Sequence, residues 1–89
     1  MRVMPSAVDP MLPVRVRLFA ALREAMGWSE QRVTASDATT PLTLWRQLAL
    51  EPAEPPAGMR VAINQQFAAW DEPLQPGDEL AFLPPISGG

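Results

Sequence analysis

The chain has 89 residues, 47% of them hydrophobic and 19% charged, with a formal charge of -3, which suits one small globular domain without a separate cofactor-binding module. It has no Cys, His, Tyr or Lys, and all seven basic residues are Arg, so disulfides, thiolate or imidazole metal sites and Cys, His or Lys nucleophiles are excluded. The acidic balance argues against nucleic acid, which needs clustered positive charge, and favours an electropositive partner; no run reaches the roughly 20 apolar residues of a membrane span, so a cytoplasmic chain with no metal or cofactor of its own is expected.

Residues 1–13 hold Pro5, Pro10 and Pro13 and no sustained periodicity, which predicts a flexible N-terminal leader. From Val14 the pattern sharpens. Val14, Val16 and Leu18 alternate with Arg15 and Arg17, the period of a strand with one buried face. Phe19, Leu22 and Met26 follow at helical spacing in FAALREAMG, and Gly27 stands where a left-handed residue would close a short helix. Glu30 to Ala35 alternates weakly around Val33 and predicts an edge strand.

Thr40 before Pro41 reads as a hydroxyl N-cap followed by proline at the first helical position. Leu44, Trp45 and Leu48 mark one face of that second helix, expected over Pro41 to Leu50. The Pro-rich segment Glu51 to Gly58 then breaks it. Met59, Val61 and Ile63 alternate into another strand, Asn64 to Gln66 turns the chain, and a short strand is expected near Phe67 to Ala69. Gln75-Pro76-Gly77-Asp78 has the residues of a type II turn, and Glu79 to Leu83 is the last strand. The expected architecture is α+β: a domain over residues 14–83 with one sheet covered by helices on one face.

The chemistry is concentrated in residues 84–89, Pro84-Pro85-Ile86-Ser87-Gly88-Gly89, directly after that strand. Six residues at about 3.3 Å each extend roughly 20 Å, stiffened at the base by the two prolines. Gly88 and Gly89 lack Cβ atoms and could thread a tunnel closed to larger residues. The Gly89 carboxylate, ionised at neutral pH, can attack the α-phosphate of ATP to form an acyl adenylate open to a sulfur or amine nucleophile. A frayed chain end is the plainer alternative. Asp78 and Glu79 are adjacent and point to opposite faces of a strand, so a turn role is expected instead of acid/base chemistry. Trp28, Trp45 and Trp70 are expected to pack, and Arg23 to be a solvated helix charge.

VRVRLFAALREAMG and VAINQQFAAWDEPLQPGDELAFLPPISGG together resemble the MoaD family, the ubiquitin-like β-grasp sulfur-carrier subunits of molybdopterin synthase. The resemblance spans about Val14 to Gly89 and is most specific in the last third. It implies a mixed sheet of about five strands with the first and last parallel at its centre. It further implies that a MoeB-like adenylyltransferase uses ATP to activate Gly89 and that a sulfurtransferase system converts it to a thiocarboxylate. A MoaE-like large subunit, in a heterotetramer of two small and two large subunits, then receives Gly89, Gly88, Ser87, Ile86, Pro85 and Pro84 and passes the sulfur to cyclic pyranopterin monophosphate. The catalytic side chains would belong to the large subunit, this chain being a non-catalytic donor.

By position, Phe67, Leu83 and Phe19 match the apolar sites where the family's sheet meets its partners; for Phe19 and Leu83 a core role is the alternative. Leu83 departs from the pattern in a place often aromatic. Two rival readings share the fold and the Gly-Gly end: a thiamine-pathway sulfur carrier, which usually lacks the FAALREAMG helix and the Pro-Pro, and a ubiquitin-like protein modifier, whose Gly89 would end on a target lysine. A plain interaction domain would not need Gly88 and Gly89 at all.

Overall fold

Alternation along β1 (Val14–Leu18) orients the sheet: Val14, Val16 and Leu18 are buried, Arg15 is exposed and Arg17 half-buried, because successive strand side chains point to opposite faces. The computed structural model describes residues 12–36, 39–50 and 52–84. Most of the expected leader, residues 1–11, and the tail positions Pro85, Ile86, Ser87, Gly88 and Gly89 lie outside the described residues.

The helical spacing that grouped Phe19 with Leu22 and Met26 needs correction. Phe19 keeps an extended backbone, φ -133° and ψ 158°, and is the N-cap of α1 (Ala20–Met26). It therefore continues the alternation of β1 and turns away from the core, while Leu22 is buried and Met26 packs against the core. Gly27 closes α1 at φ 81°, its N–H donating to the Arg23 carbonyl at 3.0 Å.

The edge strand β2 (Glu30–Val33) stops short of Ala35 because its partner runs out: Val33 pairs with Val14, the first residue of β1. In α2 (Pro41–Gln47) the cap forms as expected. Thr40 Oγ1 accepts from Thr43 N–H at 3.2 Å while Thr43 Oγ1 accepts from Thr40 N–H at 2.8 Å, a reciprocal capping arrangement. The helix ends before Leu50, since Ala49 takes a left-handed φ of 55° and the chain turns Leu50 into the core.

Strand β3 (Arg60–Ile63) joins β4 (Gln66–Ala68) through Asn64 and Gln65, whose φ values of 52° and 67° are those of a two-residue type I′ hairpin. The type II turn is present too. Gly77 has φ 84°, and Asp78 N–H donates to the Gln75 carbonyl at 3.0 Å.

With β5 (Glu79–Leu83) the sheet order is β2-β1-β5-β3-β4, β1 and β5 parallel and the other pairs antiparallel. The first and last strands thus meet in the interior, as the resemblance implied. Both helices contribute to the core on one face, where Leu22, Leu44 and Trp45 join Val16, Leu80 and Phe82. Trp45 meets Phe82 edge-on at 5.2 Å and Trp70 at 6.0 Å, and Trp70 stacks on Phe82 at 5.7 Å. All three aromatics serve packing.

Candidate docking face

The helices leave the other face of the sheet open, and strand register determines what lies on it. Arg17 pairs with Ala81, Ala81 with Ala62, and Ala62 with Phe67, across β1, β5, β3 and β4. The two central side chains are methyl groups, so the middle of the face is a low floor between taller walls. Arg17 and Phe19 form one wall and Phe67 the other, enclosing a shallow hollow of about 330 Å³.

A second hollow of about 510 Å³ shares Phe19, Phe67 and Leu83 with the first and continues past Arg60 to Pro84. The structure therefore brings the three expected apolar residues to one place. Phe67 is 66% exposed, an isolated large apolar side chain on the surface; Phe19 and Leu83 are half-buried and belong to the open face instead of the core. Pro84, the last residue described, leaves central strand β5 at the rim of the second hollow. Whatever covers this face also meets the start of the tail.

The turn role expected for Asp78 is borne out. Its carboxylate accepts from Asn64 Nδ2 at 2.9 Å and from Gln75 N–H at 2.8 Å, and Asn64 Oδ1 accepts from Glu79 N–H at 3.0 Å. Glu79 points to the open face, 3.3 Å from Arg15 and 3.5 Å from Arg17. Among the described residues no group of three or more His, Cys, Asp or Glu side chains could hold a metal, and no helix is long and apolar enough to cross a membrane.

Arginines on this face escaped the sequence reading. The Arg17 guanidinium lies 5.0 Å from the Phe19 ring centroid, and that of Arg60 lies 4.3 Å from Phe67, within cation–π range. The alternation of β1 and β3 carries their outward direction, whereas the chain's net charge of -3 has the opposite sign.

A profile of the ThiS family matches residues 16–89. The chain belongs to this family of ubiquitin-like sulfur carriers. The molybdopterin synthase sulfur carrier subunit of Escherichia coli is 35% identical over 81 residues, covering 85% of this chain and 99% of the relative. SAMP1 from Haloferax volcanii superposes with a TM-score of 0.71 at 32% identity, over 86% of this chain and 99% of that one. A protein–protein complex of subunits 1 and 2 of the molybdopterin-converting factor from Helicobacter pylori includes a chain that matches with a TM-score of 0.57 and 27% identity, over 88% of this chain and 100% of that one. The fold of this chain, a mixed five-stranded sheet with helices on one face, is thus similar to that of SAMP1 and of a molybdopterin-converting factor chain.

Proposed function

We propose that this chain is the sulfur-carrier subunit of a molybdopterin synthase. The observation that carries the reading is its 35% identity, over 99% of the relative's length, to a subunit of that role. Helix α1 between β1 and β2 adds support, since the thiamine-pathway carriers usually join those strands by a hairpin.

The Gly89 carboxylate attacks the α-phosphate of ATP on a MoeB-like adenylyltransferase, and pyrophosphate leaves. A sulfur nucleophile from a sulfurtransferase system then displaces AMP, yielding the thiocarboxylate. In the active site of a MoaE-like large subunit the thiocarboxylate sulfur bonds to a carbon of cyclic pyranopterin monophosphate as a carbon–oxygen bond at that carbon breaks and its oxygen leaves, and water then cleaves the acyl–sulfur bond to restore the carboxylate. Two such rounds build the dithiolene, so the chain must leave and return between them.

The division of labour follows from composition. With no Cys, His or Lys, the chain donates an atom while its partners supply the catalytic side chains. Phe19, Phe67 and Leu83 seat it on the large subunit, and Pro84 to Gly89 thread the active site; two small and two large subunits make the assembly. Dependence on ATP and on soluble partners assigns the work to the cytoplasm.

The test is the intact mass of the chain after incubation with ATP, a MoeB-like enzyme and a sulfur source. The expected product has one oxygen replaced by sulfur, and a chain lacking Gly89 gains nothing. The similarity to SAMP1 favours a second reading, a ubiquitin-like modifier. High-mass conjugates in cell lysate that disappear with Gly89, together with no sulfur gain in vitro, would select it.

A further inference from the structure

We infer that the open sheet face accepts a protein surface whose apolar centre is ringed by carboxylates, a polarity opposite to the one the chain's overall acidity calls for. The inference rests on the carrier reading above and names the chemistry of the docking surface.

Register sets the charges. Arg15 pairs with Arg32, Arg17 with Glu30, Arg15 with Glu79, and Leu83 with Arg60, so four arginines and two glutamates share the face with Phe19, Ala62, Phe67, Ala81 and Leu83. The face is two charges positive on a chain whose total is -3. All other residues together carry five net negative charges.

Their placement suits recognition. Arg17 and Arg60 flank the alanine floor, each with its guanidinium near an aromatic ring. A ring contact constrains the flat face of the cation and leaves N–H edges for a carboxylate. Among the described residues Arg60 and Arg32 have no carboxylate partner. The single acid between the central arginines, Glu79, already faces both Arg15 and Arg17.

A second copy is a poor occupant. A two-fold contact through this face would set one copy's arginines against the other's. A partner with an apolar projection to fill the floor and carboxylates to meet Arg17 and Arg60 is complementary in both respects. Seated there it also lies over Pro84, where the chain leaves the sheet.

The test is the association rate of the full chain with the molybdopterin synthase large subunit of the same organism, over a salt series. Arg17→Gln with Arg60→Gln should slow association about tenfold at low salt and flatten its salt dependence, because charges at an interface act chiefly on encounter. Arg60→Lys, which keeps the charge, should stay within about twofold. Arg46→Gln, which removes one arginine charge at the exposed pair with Glu54 and outside the face, should not slow it. Unchanged or faster association of the double variant, with its circular dichroism intact, overturns the inference and leaves the carrier reading standing. A chain that does not bind the large subunit at all removes both. A dimer in sedimentation that Phe67→Ala dissolves would assign the face to a second copy and overturn the inference as well.

Discussion

Asn64 and Asp78 clasp two turns together: the carboxamide of Asn64 donates to Asp78 Oδ1 at 2.9 Å and accepts the Glu79 N–H at 3.0 Å. One turn joins β3 to β4 and carries Phe67 just beyond it; the other launches β5, which provides Ala81, Leu83 and the exit at Pro84. The pair therefore ties the turn that precedes the wall residue Phe67 to the turn that precedes the floor residue Ala81.

Asp78 is buried, and each carboxylate oxygen accepts a separate donor, Asn64 Nδ2 and the Gln75 N–H. Asp78→Asn retains one acceptor only and sets an NH₂ group against a donor, so we expect a loss of about 1–3 kcal/mol in urea unfolding. Asp78→Ala should lose at least as much. Wild-type stability in both variants would mean that the clasp is dispensable.

Gly77 has φ 84°, and a Cβ there would meet Leu12 Cδ1 at 3.5 Å, an ordinary contact. Space is available, so Gly77→Ala isolates backbone strain, about 1–2 kcal/mol for an L-residue in the left-handed region. The thermal midpoint should fall accordingly, and Gly27→Ala, with φ 81° and open space around it, should behave alike. A much larger loss at Gly77 alone would point to its contact with Leu12.

Trp45 is fully buried between Trp70 and Phe82, and its Nε1–H donates to the Pro52 carbonyl at 2.9 Å. That bond ties the Pro-rich loop to the core. Trp45→Phe should cost about 1–3 kcal/mol through the lost bond and the void, and Trp45→Ala about 3–5 kcal/mol. Chemical denaturation followed by circular dichroism measures both; a Trp45→Phe variant as stable as the wild type would deny the indole N–H a contribution.

Periodicity and caps made most of this fold legible beforehand. Val14, Val16 and Leu18 announced the buried face, Thr40-Pro41 the start of α2, and Pro76-Gly77 the turn into β5. What escaped needed tertiary information. Phe19 fits the helical spacing of α1, yet its extended backbone assigns it to the sheet, and only the pairing of Val33 with Val14 limits β2. Ala49 in a left-handed conformation carries no sequence signal for ending α2. The chemistry expected of the tail was read from its residues alone, whereas the cationic character of the open face needed the register that brings Arg15, Arg17, Arg32 and Arg60 together.

Phe67 is 66% exposed and contributes little to the core. Phe67→Ala should therefore change stability by less than about 0.5 kcal/mol. Binding to the large subunit should weaken on the order of tenfold or more, as for an aromatic anchor at an interface centre. Titration calorimetry beside thermal unfolding separates the two effects; undiminished affinity would exclude Phe67 from the interface.

Deleting Gly89 tests the chemistry apart from the fold, since among the described residues the last strand ends at Leu83 and the last core residue is Phe82. The deletion moves the terminal carboxylate back by about 3.5 Å, the reach of one residue. Reacting atoms must approach to about 3–3.5 Å, and a misplacement of about 1 Å can already cost on the order of 100-fold in rate. Sulfur loading should therefore fall at least that far while the thermal midpoint stays unchanged. Appending one glycine should also impair transfer, by overshooting the same site. A truncated chain that acquired sulfur and supported molybdopterin formation as fast as the full chain would sink the reading, because a carboxylate withdrawn to Gly88 would then serve as well as that of Gly89.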